Sequence, residues 1–133
     1  MKIFESKYKS VAYQEDKAMM VTRWHPDSIE LDESTFKTQI KAWLSEVKRL
    51  KPSSLLIDTT HFGFIIEPTV QDWFDQEVFT AYAKAGVQKK AFLVSKDVFS
   101  QVALKQHISE LRHRTFEVAF FASEAEAMEW LDE

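Results

Sequence analysis

Residues Ser53-Ser54-Leu55-Leu56-Ile57-Asp58 form a short apolar run that does not alternate with polar positions. A strand with one face in water alternates; a strand covered on both faces does not, and such strands belong to sheets with helices packed on either side. The run therefore predicts a central parallel strand, entered after Pro52 and left through Asp58-Thr59-Thr60-His61 and Gly63, where the chain turns. An α/β fold follows.

The neighbouring segments fit that frame. From Asp32 to Lys51, Phe36, Ile40, Trp43, Leu44, Val47 and Leu50 recur at steps of three and four, which marks one face of a helix. Asp32 or Ser34 is placed to cap its start, and Pro52 stops it. Before it, Val11-Ala12-Tyr13-Gln14 and Ala18-Met19-Met20-Val21-Thr22-Arg23-Trp24 are rich in β-formers and separated by Glu15-Asp16-Lys17, predicting a hairpin, with Ile3 and Phe4 as a further edge strand. Pro68 suits the first turn of a second helix that ends near Gly86. Lys90 to Ser95 repeats the buried-strand pattern, and Asp97 to about Arg112 predicts a third helix. Thr115 to Phe121 predicts another strand, and Ser123-Glu124-Ala125-Glu126 opens a last short helix through Trp130 and Leu131 as a capping box. Strand and helix in alternation give parallel pairs with right-handed crossovers. The predicted fold is thus a mixed sheet with an N-terminal antiparallel hairpin, parallel central strands and about four helices. Without repeat, linker or low-complexity tract, residues 1–133 are expected to form a single domain.

Composition limits the chemistry. No cysteine is present, which excludes disulfides, thiolate metal sites and a cysteine nucleophile. Seventeen Lys and Arg against twenty-one Asp and Glu give a net charge of −4, which disfavours nucleic acid as a partner. The basic clusters Lys48-Arg49 with Lys51, Lys89-Lys90 and Arg112-His113-Arg114 fall where helices end or strands begin, and complement helix dipoles there. The N-terminus becomes charged too soon for a signal peptide, and no apolar run approaches membrane-spanning length; a cytoplasmic location without membrane insertion is the expectation.

Neither a Gly-x-Ser-x-Gly elbow nor a His-Glu-x-x-His helix occurs, so no catalytic residues are assigned. The four histidines, His25, His61, His107 and His113, show no ligand spacing, and neither metal nor cofactor is expected. Open α/β sheets bind ligands at the carboxyl ends of their parallel strands. Those ends carry Asp58, Thr59 and Thr60 on one strand and Ser95 and Lys96 on the next, a set able to hold a small polar ligand or, equally, to satisfy turn amides and cap a helix.

The element order and several local phrases resemble the STAS domains, in particular the SpoIIAA-like branch of small stand-alone bacterial proteins. The phrases are Val21-Thr22-Arg23-Trp24, Leu55-Leu56-Ile57-Asp58 followed by Phe62-Gly63-Phe64, Lys90 to Ser95, and Glu124 to Leu131, spread over nearly the whole chain. The resemblance implies a regulatory or binding fold. In the anti-sigma factor antagonists of that family an Asp-Ser pair before the second helix carries a regulatory phosphoserine. Here Ile65-Ile66-Glu67-Pro68-Thr69 stands in its place, and Thr69 alone offers a hydroxyl.

The remaining sequence clue is apolar excess. Phe62, Phe64, Ile65 and Ile66 crowd the loop after the central strand, Phe79 points away from the stripe Val70, Phe74, Val78, Tyr82 and Ala85, and the third helix is apolar on two sides, with Phe99 on one and Leu104 on the other. Either Phe62 to Ile66 fold back as a plug over the core and the third helix bends or breaks, or the excess is exposed, and exposed apolar surface marks a contact site. The expectation is a non-enzymatic binding module that meets a protein partner or a second copy of itself through Phe62, Phe64, Ile65, Ile66, Phe79, Phe99 and Leu104. The alternative is a binder of a lipid-like or small polar ligand, or an enzyme, with its site near Asp58 and Ser95 under the same loop.

Overall fold

The central strand lies where the apolar run predicts it, and its alternate side chains enter two different cores. In the computed structural model, which describes residues 2–63, 67–96, 98 and 117–132, Leu55 and Ile57 of β4 (Ser54–Asp58) point to one face and Leu56 to the other. All three are buried. Strands β1 (Lys2–Glu5), β2 (Lys9–Gln14), β3 (Met19–Trp24), β4, β5 (Lys89–Leu93) and β6 (Glu117–Phe121) form one six-stranded sheet in sequence order. The first three pair antiparallel; β3 with β4, β4 with β5, and β5 with β6 pair parallel.

Helices α1 (Glu33–Leu50) and α2 (Pro68–Ala85) cover one face, where Phe36, Ile40, Trp43 and Val47 of α1 and Val70, Val78 and Tyr82 of α2 meet Val11, Met20, Trp24, Leu55 and Ile57. Helix α3 (Glu124–Leu131) covers the other, with Ala127 and Leu131 against Met19, Val21, Leu56, Ala91 and Leu93. The expected caps form: Asp32 Oδ1 accepts the Thr35 N–H at 2.7 Å, and Ser123 Oγ accepts that of Glu126 at 3.4 Å. Gly86 ends α2 with φ of 81°, its N–H donating to Tyr82 O at 2.9 Å.

Three α-helices lie among the described residues, against about four expected. Of the predicted helix from Asp97 to about Arg112, Val98 alone is among them; the rest lies outside, as do Phe64, Ile65, Ile66, Phe99, Leu104, His107 and His113.

The reading of Lys89-Lys90 needs a correction. Lys89 does serve a helix end, its Nζ donating to Trp130 O in the last turn of α3 at 2.8 Å. Lys90, one residue on, points to the opposite face because strand side chains alternate, and its ammonium is buried among aromatic rings instead.

Candidate ligand-binding cavity

Strands β3, β4 and β5 end together, and the α1/α2 face at those ends is not filled. A cavity of about 190 Å³ lies there, walled by the rings of Trp24, Phe36, Trp43, Phe62, Phe74 and Phe92, by Ile40 and Ile57, and by Thr22, Thr59 and Gln71. Each wall residue arrives by a simple local rule. Thr22 and Trp24 are two apart on β3, and Ile57 and Thr59 two apart at the end of β4, so each pair shares a face. Phe36, Ile40 and Trp43 are the α1 stripe.

The rings brace one another. Trp24 meets Phe62 edge to face at 4.8 Å between centroids and stacks on Phe36 at 6.3 Å, while Phe36 lies 6.2 Å from Phe74. Phe62 is held by backbone as well as by packing. The buried Ser28 hydroxyl accepts the Gly63 N–H at 2.9 Å and donates to His61 O at 3.3 Å, tying the loop to the 3₁₀ turn Pro26–Glu30. A Cβ on Gly63 would stand 3.0 Å from that of Ile29, so the close approach depends on glycine.

Two buried lysines adjoin the wall. Lys9, on β2 opposite Trp24, is 0% exposed. Its Nζ donates to Gln39 O at 2.8 Å and lies 5.0 Å from the Trp24 ring centroid and 5.7 Å from those of Trp43 and Phe4. Burial lowers its pKa from 10.5 to about 7. Lys90 lies 4.7 Å from the Phe92 ring, 4.9 Å from Tyr82, 5.7 Å from Phe74 and 6.0 Å from Trp43. Burial also pushes the Tyr82 phenol well above its ordinary range, so it stays neutral. Trp43 Nε1 donates to Thr22 Oγ1 at 2.9 Å inside the same cluster.

The strand-end residues singled out in the sequence do not converge. Thr59 lines the cavity, its hydroxyl and N–H both donating to Leu93 O, at 3.0 and 2.9 Å. Asp58 faces the α3 side, where Arg23 Nη1 reaches its Oδ2 at 3.1 Å and Glu124 Oε1 at 2.7 Å. Hydrogen bonding to Glu124, ahead of that to Asp58, raises the Arg23 pKa. The other Asp58 oxygen accepts the Thr60 N–H at 3.0 Å and its hydroxyl, closing an Asx turn. Ser95 accepts the Val98 N–H at 3.3 Å, and Lys96 is exposed. Of the apolar set, Phe62 packs into the cluster and Phe79 is 48% exposed.

Sequence reasoning did not single out Lys9, Thr22, Trp24, Trp43 and Lys90 as site residues. The available signal was parity: Lys9 shares its strand face with Val11 and Tyr13, and Lys90 shares its face with Phe92.

Among the described residues no three or more His, Asp or Glu side chains are grouped to hold a metal ion, and no helix is long and apolar enough to cross a membrane. Comparison with known protein families, with curated proteins and with solved structures gives no match to this chain.

Proposed function

We propose that the protein acts by binding a small, largely apolar molecule in the cavity between the sheet and the α1/α2 layer. The observation that carries this reading is an unfilled space of about 190 Å³ walled, among the described residues, by six aromatic rings. Protein interiors are close-packed, and an apolar void of about 150 Å³ already admits benzene. The space suits one aromatic ring with a short tail, or a short alkyl chain. Its place at the carboxyl ends of parallel strands is where open α/β sheets take ligands. Element order, with a hairpin leading into parallel strands, supports keeping the likeness to STAS domains as a proposal of relationship.

The direct test is thermal unfolding with toluene, indole and 1-hexanol over a concentration series. A ligand that binds only the folded chain raises Tm progressively with concentration. The expected result is such a rise with at least one probe; flat curves with all three would overturn the reading.

A second reading, self-association, is favoured by Phe79, which stands 48% exposed on α2. Light scattering of wild type and Phe79→Glu tests it: a concentration-dependent dimer abolished by the substitution supports it, and a wild-type monomer at high concentration removes it.

A further inference from the structure

An aromatic-walled cavity can recognise two opposite chemistries. Ring faces attract quaternary ammonium groups, and rings equally line pockets for neutral or acidic aryl and alkyl molecules. Charge placement decides between them here. Four of the six rings already face a lysine ammonium: Trp24 meets Lys9 at 5.0 Å, Trp43 meets Lys9 at 5.7 Å and Lys90 at 6.0 Å, and Phe74 and Phe92 meet Lys90 at 5.7 and 4.7 Å. A cationic guest would sit against like charge. Among the described residues Lys9 and Lys90 are the buried charged side chains.

The polar part of the wall points the same way. Thr22 is 2% exposed and lines the cavity. Its Oγ1 accepts the Trp43 Nε1–H at 2.9 Å, so that lone pair is taken, while its own proton finds no acceptor among the described residues. Among the described residues the wall thus presents a buried hydroxyl with its proton uncommitted, next to an indole flanked by two lysine side chains. That combination asks for an acceptor carrying negative charge.

We infer that the cavity selects an apolar molecule bearing one carboxylate, a small aryl- or alkyl-carboxylic acid, with Thr22 Oγ1 donating to the carboxylate and Lys9 and Lys90 supplying the complementary charge. This rests on the ligand-binding reading above and names the class of ligand. Lys9 and Lys90 act here through the field they set up at the wall.

Calorimetric titration with phenylacetate, 2-phenylethanol and phenethylamine at about pH 6 tests it, since the three share a ring and a two-carbon tail and differ in charge; a carboxylate is ionised at that pH. Phenylacetate is expected to bind at least about tenfold tighter than the alcohol, with the amine weakest. The preference should fall to within about twofold in Lys9→Met and in Thr22→Val, and survive in Thr22→Ser, which keeps the hydroxyl. The wild-type ranking needs no variant to fold and stands alone as a test. Equal binding of acid and alcohol, or tighter binding of the amine, overturns the charge selection while leaving the cavity a binding site. A preference unchanged in both Lys9→Met and Thr22→Val removes the residues assigned to it. Failure of all three, together with toluene, indole and 1-hexanol, overturns the ligand-binding reading itself.

Discussion

Lys9 is a charge placed where an apolar residue would ordinarily be, and its cost depends on pH. In the folded chain burial brings its pKa to about 7, against 10.5 when exposed. Between those two values the unfolded chain binds more protons than the folded one, so this group makes stability rise with pH across that window. Below about 7 its cost is present in full, and above 10.5 it has vanished. Three rings and the Gln39 carbonyl offset part of it. Lys9→Met should therefore raise stability near pH 6 by about 1 to 3 kcal/mol, as replacing buried charge with apolar volume commonly does. Urea unfolding of both proteins from pH 6 to 10 checks this; the difference should shrink as pH rises, and a difference constant in pH would contradict it. Neither buried lysine was legible in the sequence, for a physical reason. An ammonium is expensive to bury, so a lysine near an element end reads as solvated, and Lys89 does satisfy a helix end. Part of what offsets the burial of Lys9 and Lys90 comes from Trp43 on α1 and from Phe74 and Tyr82 on α2, which no local pattern places beside β2 or β5.

Elements were the most legible level, because each is decided by its own residues. The α1 stripe, its Asp32 cap, the Ser123 cap and the Gly86 stop all act within one or two turns, and all form as expected. Gly86 illustrates how local such a decision is. A Cβ there would meet nothing within 4 Å, so Gly86→Ala costs only the left-handed backbone at φ of 81°, about 1 to 2 kcal/mol. Thermal unfolding should give that loss with ligand affinity unchanged. The loop after β4 behaves differently, since Ser28, far off in sequence, holds the backbone on either side of Phe62. Ser28→Ala strands the Gly63 N–H and should cost about 1 to 3 kcal/mol. Because it also loosens Phe62 from Trp24, it should weaken ligand binding in the same titrations, which Gly86→Ala should not. The apolar crowding of this loop was visible in the sequence, and with it two outcomes, a plug over the core or a contact surface; the choice was not, since the inward turn of Phe62 depends on Ser28 and on the glycine that fits against Ile29.

At the scale of the whole molecule, sheet order and strand direction follow from alternating elements, but a cavity belongs to no element. Its wall draws on residues from Thr22 to Phe92 across three strands, two helices and a loop. The sequence directed attention to the end of β4, where the cavity lies, and parity divides the residues there: Asp58 follows Leu56 to the α3 side, whereas Thr59 follows Ile57 to the cavity. An unfilled site is also a departure from close packing, and proteins gain stability when such sites are filled, often at the expense of function. Ile40→Phe enlarges a buried side chain of the α1 stripe that lines the cavity. It should raise stability of the ligand-free chain by about 0.5 to 2 kcal/mol, or roughly 2 to 6 °C in Tm for a chain of this size. It should also abolish the Tm rise caused by the neutral probes and by phenylacetate alike. The two readouts must move in opposite directions, which separates a filled site from general damage. A variant that is stabilised yet still binds would place the ligand elsewhere, and one that is destabilised would mean the space is less open to a larger side chain than its volume suggests.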